Sequence, residues 1–213
     1  LQNIGAIRKI DLPEGFSAGT QSRGAIGNSW RLQFFPAAHS QDQVEITAYQ
    51  RGQPLSAEES SAFRQLLRKG EANLIADQNA DREASRKILT ALGDALGNVA
   101  NNQFVNEAKG LRGPGFYLTS MAVRDLKGVM VLQVTGRFHR ATMELGPIPA
   151  PDDAAAAIAD DTVYYQGIFM DGSSWHRPCQ IEELLLQADT YKLYLEYRPL
   201  FEAAVQSIAW QER

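Results

Sequence analysis

The closing stretch from Tyr191 to Trp210 constrains the fold more than any other, because its hydrophobic period changes part-way along. Between Tyr191 and Tyr197 the residues Tyr191, Leu193, Leu195 and Tyr197 share one face, and Lys192, Tyr194 and Glu196 the other. That two-residue repeat predicts a strand. Pro199 then presets the dihedral of a helix's first turn, and Phe201, Ala204, Val205 and Ile208 recur at helical spacing. A strand that delivers an amphipathic helix needs a sheet on which the helix can lie.

The remaining segments supply that sheet. Ile4 to Leu12 reads as an opening strand turned by Pro13-Glu14-Gly15, and 17–29, with three glycines, as a loop that can include a short strand. Trp30–Pro36 and Val44–Gln50 alternate in polarity across the polar run His39–Gln43, the pattern of a hairpin. Phe116–Val123 and Val129–Phe138 are apolar runs joined by Asp125-Leu126-Lys127-Gly128, and this hairpin is expected at the centre of the sheet. Thr162–Met170 is a further strand. Ile181–Ala188 is read as a strand pairing with Tyr191–Tyr197 through a short turn.

Helices are predicted between these strands. Ser56-Ala57-Glu58-Glu59 is a capping box, in which the serine oxygen and the Glu59 carboxylate each satisfy a backbone N–H of the first turn. Phe63, Leu66 and Leu67 give the apolar face, and Lys69-Gly70 marks a stop, although the pattern can run on towards Ile75. A second helix is predicted over Arg82–Val99. The expected fold is α+β: a central, mainly antiparallel β-sheet flanked by helices as an α/β/α sandwich, its last strand followed by a packed helix. One domain over 1–213 is expected, with a helical stretch at 56–101 and a Pro-rich loop at 146–151.

Composition narrows function mainly by exclusion. The balance of 25 acidic against 21 basic residues, without long charged blocks, argues against nucleic acid as partner, because that affinity rests on concentrated Lys and Arg. No apolar run approaches the length of a membrane span. The single cysteine, Cys179, forbids an intrachain disulfide and suits either the cytoplasm or a periplasmic protein large enough to need no staple. The chain begins at Leu1 rather than methionine. Read as the trace of a removed signal peptide or lipoprotein leader, this favours a periplasmic or otherwise exported protein over a cytoplasmic one.

Chemical motifs are sparse. His39, His139 and His176 show no i, i+4 pairing of the metal-binding kind. His176-Arg177-Pro178-Cys179 puts an imidazole near a thiol, but two ligands make half a zinc site, and a buried structural cysteine is the commoner state. Gly172-Ser173-Ser174-Trp175 lacks the hydrolase elbow, and Gly110–Gly115 lacks the Lys and Ser/Thr of a phosphate loop. Asp152-Asp153 and Asp160-Asp161 bracket an alanine run as helix-end charges rather than as an EF-hand. No metal or cofactor is expected. Trp175 in a turn, and Tyr194 on the face opposite Leu193 and Leu195, are the aromatics expected at an exposed interface.

The phrase Leu12-Pro13-Glu14-Gly15-Phe16, the helix after the early strands, the Phe116–Phe138 hairpin and the closing Phe201…Ser207-Ile208-Ala209-Trp210 together resemble the Mog1/PsbP-like group. The resemblance implies an α/β/α protein that binds partner proteins and has no catalytic residue to carry over. The expected function is therefore a non-catalytic bacterial binding protein, a periplasmic accessory factor or an immunity protein, with Trp175 and Tyr194 at the interface. The alternatives are an enzyme assembled from His139, His176 and Cys179, or a small-molecule or lipid carrier using the concave sheet face.

Overall fold

A computed structural model describes residues 2–23, 30–38, 43–50, 54–75, 117–139, 162–173 and 177–212. The expected helix at 82–99 and the Pro-rich loop at 146–151 lie outside these residues. The chain opens with β1 (Gln2–Ile4) and β2 (Ile7–Lys9), joined by a two-residue loop in which Gly5 takes a φ of +54°. The expected single opening strand is thus a small hairpin, since only glycine enters that backbone region without cost. There follow β3 (Phe16–Arg23), β4 (Trp30–Pro36), β5 (Val44–Gln50), α1 (Ala57–Arg68) and β6 (Ala72–Ile75). The later elements are β7 (Tyr117–Leu126), β8 (Val129–His139), β9 (Thr162–Asp171), β10 (Ile181–Ala188), α2 (Tyr191–Ser207) and β11 (Ala209–Trp210).

The main sheet has eight strands in the order β3-β4-β5-β10-β9-β8-β7-β6, and every neighbouring pair is antiparallel. A smaller sheet, β1-β2-β11, closes one end. The fold is α+β with a helix on each face of the main sheet. Phe63, Leu66 and Leu67 of α1 pack with Met121, Val123, Leu132, Val134 and Phe169 on one face. Tyr194, Tyr197, Phe201 and Val205 of α2 pack with Ile46, Ile168, Leu184 and Leu186 on the other. Each of these side chains contributes roughly 1.5–3 kcal/mol on full burial.

Several sequence expectations hold locally. Ser56 caps α1: its Oγ accepts from Glu59 N–H at 3.2 Å, and the Glu59 carboxylate accepts from Ser56 N–H at 2.9 Å. The β7–β8 hairpin turns at Lys127 and Gly128, both at positive φ (56° and 85°), as a type I′ turn requires. It is not the centre of the sheet, however. That place belongs to β10, between β5 and β9, and all eight of its residues are buried.

Two helical expectations are corrected. Within the stretch at 56–101, α1 stops at Arg68 and Gly70 turns at a φ of +77°, as the Lys69-Gly70 stop predicts, but the run-on towards Ile75 is a strand, β6, from Ala72. The expected strand at Tyr191–Tyr197 is the first half of α2. Thr190 caps it, its Oγ1 accepting from Leu193 N–H at 3.2 Å, and Tyr194, Tyr197, Phe201, Ala204 and Val205 form the buried face. Pro199 lies inside the helix rather than at its start. It is tolerated where the carbonyl it leaves without an N–H, that of Leu195, belongs to an exposed residue and can meet water.

Candidate functional site

Of the dispersed residues expected for an enzyme, His139 and Cys179 do not converge. Trp175 and His176 lie outside the described residues. His139 is the last residue of β8, its backbone opposite Thr162. Cys179 instead bonds Asp171, at the other end of β9. At about 3.3 Å per residue, β9 separates the two ends by roughly 30 Å.

Cys179 belongs to a packed polar cluster under α1. Its Sγ donates to Asp171 Oδ2 at 3.1 Å, and its N–H donates to Ser60 Oγ at 2.9 Å. Arg64 Nε donates to the same Oδ2 at 2.9 Å, and its guanidinium reaches Ser173 Oγ (3.0 Å) and the Arg177 carbonyl (2.7 Å). Burial alone would raise the Asp171 carboxyl. Bonds from the Ser173 hydroxyl and N–H, Cys179 and Arg64 outweigh it and hold the group below the ordinary aspartate value. Burial, followed by the hydrogen bond to Asp171 and its negative charge, pushes the Cys179 thiol up to about 12. Only about one molecule in 10⁵ then carries a thiolate at pH 7, so this sulfur is suited to packing rather than to attack.

Tyr194 was expected on an exposed face, but it is only 5% exposed. The helix turns it inward, where its hydroxyl bonds Gln166 Oε1 at 3.4 Å. Its exposed neighbour is Tyr191, whose ring lies 5.2 Å from that of Tyr164 and 6.2 Å from that of Tyr194, the latter pair stacked.

Among the described residues, a concavity lies beside this aromatic group. Helix α2 packs against β10, β9 and β5; beside it Leu126 of β7 and Val131 of β8 are buried in the same cluster, while Arg124, Gln133 and Thr135 on that face keep contact with solvent. The result is a groove of about 480 Å³ between α2 and β7–β9, within the range of ligand sites. Leu126, Val131 and Ile168 lie at its base, all buried. Gln133 and Gln166 rise from the strands, Glu202 and Gln206 from the helix, and Arg124 with Glu71 and Asp125 from the far wall. Gln166 Nε2 donates to Glu202 Oε1 at 3.3 Å, and Arg198 Nε donates to the same oxygen at 2.8 Å. The lining offers amides that both donate and accept, together with charges of both signs. Its sequence signal was the alternation of Gln133 and Thr135 with Leu132 and Val134, polar residues along one face of an inner strand.

A second polar concentration lies on the α1 side of β4, β5 and β10. Glu45 accepts from Arg31 at 3.3 Å and Gln33 at 2.8 Å, while Thr47, Glu183 and Gln187 are buried. Burial and then the nearby Glu183 charge raise the Tyr165 phenol well above its ordinary value. Among the described residues, no three His, Cys, Asp or Glu side chains gather to hold a metal ion, and no helix is long and apolar enough to cross a membrane. Compared with known proteins, the chain matches no protein-family model and no curated sequence.

Proposed function

We propose that this chain is a non-catalytic binding protein that holds a protein partner in the groove beside α2. The observation that carries this reading is the groove: amides and mixed charges set around a buried apolar base, on a rigid helix and strands. Rigid walls lower the ordering cost of association, and polar groups fixed around an apolar base give orientation and specificity. The resemblance to the Mog1/PsbP-like group, whose members bind partner proteins, supports the same reading. The protonated Cys179 thiol weighs against the dispersed-enzyme alternative.

A photoreactive benzoylphenylalanine placed at Gln133, in the groove, tests the proposal against one placed at Lys69, exposed beyond α1. The groove position should give one stoichiometric adduct and the Lys69 position none. With the partner so identified, Gln133→Lys should weaken its binding by about tenfold, close to 1.4 kcal/mol. Equal labelling from both positions, or an unchanged Kd, would sink the reading.

A further inference from the structure

Resting on that reading, the geometry points to one occupant: an extended polypeptide segment with an aromatic or aliphatic side chain at one end and a lysine or arginine at the other. The argument starts on α2. Tyr191, Leu195, Arg198, Glu202 and Gln206 recur at i, i+4, i+7, i+11 and i+15 and share one stripe of the helix. Glu202 and Gln206 already wall the groove. The same wall therefore continues to Leu195 and Tyr191, which are 48% and 55% exposed, unusually open for large apolar side chains. The Tyr191 ring is held by Tyr164 and Tyr194, so it offers its face without a large ordering cost on binding.

The opposite end is acidic. Three carboxylates, Glu71, Asp125 and Glu202, line the groove against one guanidinium, Arg124. Adding Arg198, which bonds Glu202, leaves three against two. The surplus rests at Glu71 and Asp125: Glu71 Oε1 accepts from the Asp125 N–H at 3.3 Å, and Asp125 Oδ1 from the Gly128 N–H at 2.6 Å. Neutral donors satisfy these oxygens without cancelling their charge, and with Arg124 on the same wall that end keeps one net negative charge, which complements a cation.

Between the two ends, Gln133 and Gln206 each carry an amide able to bond a peptide group in either sense, while Gln166, buried and bonded to Glu202 and Tyr194, fixes the wall behind them. On β8, Met130 lies opposite Asp125 and Arg137 opposite Tyr164, seven residues apart. At about 3.3 Å per residue this is roughly 23 Å, so an extended segment would place its apolar and basic side chains about six to eight residues apart.

The test uses the full chain, immobilised, as target for phage-displayed random dodecapeptides, with enriched peptides then titrated by fluorescence anisotropy. The expected selection carries Lys or Arg six to eight positions from an aromatic or aliphatic residue. Glu71→Gln and Tyr191→Ala, both exposed positions whose folding circular dichroism can check, should each raise Kd about fivefold or more. Peptides lacking a basic residue, or insensitive to both substitutions yet abolished by Gln133→Lys, would overturn this occupant and leave the binding reading standing. No peptide enrichment, with oligosaccharide capture on a glycan array instead, would overturn it as well. If the Gln133 crosslink also fails, the groove itself is not the site.

Discussion

Replacing Arg64 with methionine removes a cation bonded to Asp171 in the cluster beneath α1, while keeping much of its aliphatic packing. The Arg64 and Asp171 side chains are 14% and 10% exposed, so the carboxylate would be left largely desolvated. Removing one partner of a buried pair costs about 3–5 kcal/mol, and residual solvent contact puts this case near the lower end. The bonds to Ser173 Oγ and the Arg177 carbonyl go as well. With overlapping effects, a loss of about 3–4 kcal/mol at pH 7 is expected. With a urea m-value of about 2 kcal/mol/M, the unfolding midpoint should fall by about 1.5–2 M. The pH dependence follows from the lowered native pKa of Asp171. The native carboxylate contributes stability above the unfolded value, about 3.9, and that contribution is lost as pH falls through the lower native one. In the variant, burial acts without the guanidinium, so its Asp171 protonates at higher pH. The gap between the two proteins should be full at pH 7, begin to narrow where the variant's Asp171 protonates, and shrink further as pH falls towards the lower native value of the unsubstituted protein. A loss under about 1 kcal/mol, or a gap equal at pH 7 and pH 3.5, would refute an ion pair that matters to the fold.

Cys179 should resist iodoacetamide at pH 7 by at least about 10³-fold relative to a free thiol, and label at an ordinary rate once urea unfolds the chain. Rapid stoichiometric labelling of the native protein would reopen the case for a nucleophile. Pro199→Ala should restore a helical N–H and raise stability by about 1–3 kcal/mol, read as a higher midpoint in thermal unfolding. A lower midpoint would mean that the proline ring itself packs usefully.

The local features most legible in the sequence were those set by a few adjacent residues. The Ser56 capping box and the Lys127-Gly128 turn need only their own side chains and dihedrals, and both form as expected. Tyr191–Tyr197 failed for a definable reason. Tyr194, Tyr197 and Phe201 fit a helix at i, i+3 and i+7, while Tyr191, Leu193, Leu195 and Tyr197 fit a strand, so apolar residues satisfied both periods at once. Thr190, a good N-cap, was the signal that breaks the tie, and Pro199 misled because its preference for a first turn outweighed its tolerance at a solvated carbonyl. Strand order was illegible for a different reason. β10 pairs with β9, the strand before it, but its other edge takes β5, a long-range choice that no local pattern encodes.

That same insertion is what makes the groove. With β10 at the centre, α2 leaves it through a short turn at Asp189-Thr190 and lies back over β10, β9 and β5. It cannot also cover β8 and β7, which sit one and two strand spacings beyond β9, at about 4.8 Å each, against a helix roughly 10 Å across. On their α1 side those strands carry Leu132, Val134, Met121 and Val123, all buried. On the α2 side Val131 and Leu126 are buried as well, but Gln133, Thr135 and Arg124 retain contact with solvent. The polarity of β7 and β8 therefore records where the helix stops. An inner strand apolar on one face and amide-bearing on the other marks a sheet surface kept open beside its covering helix, and here that surface is the floor and far wall of the proposed binding groove.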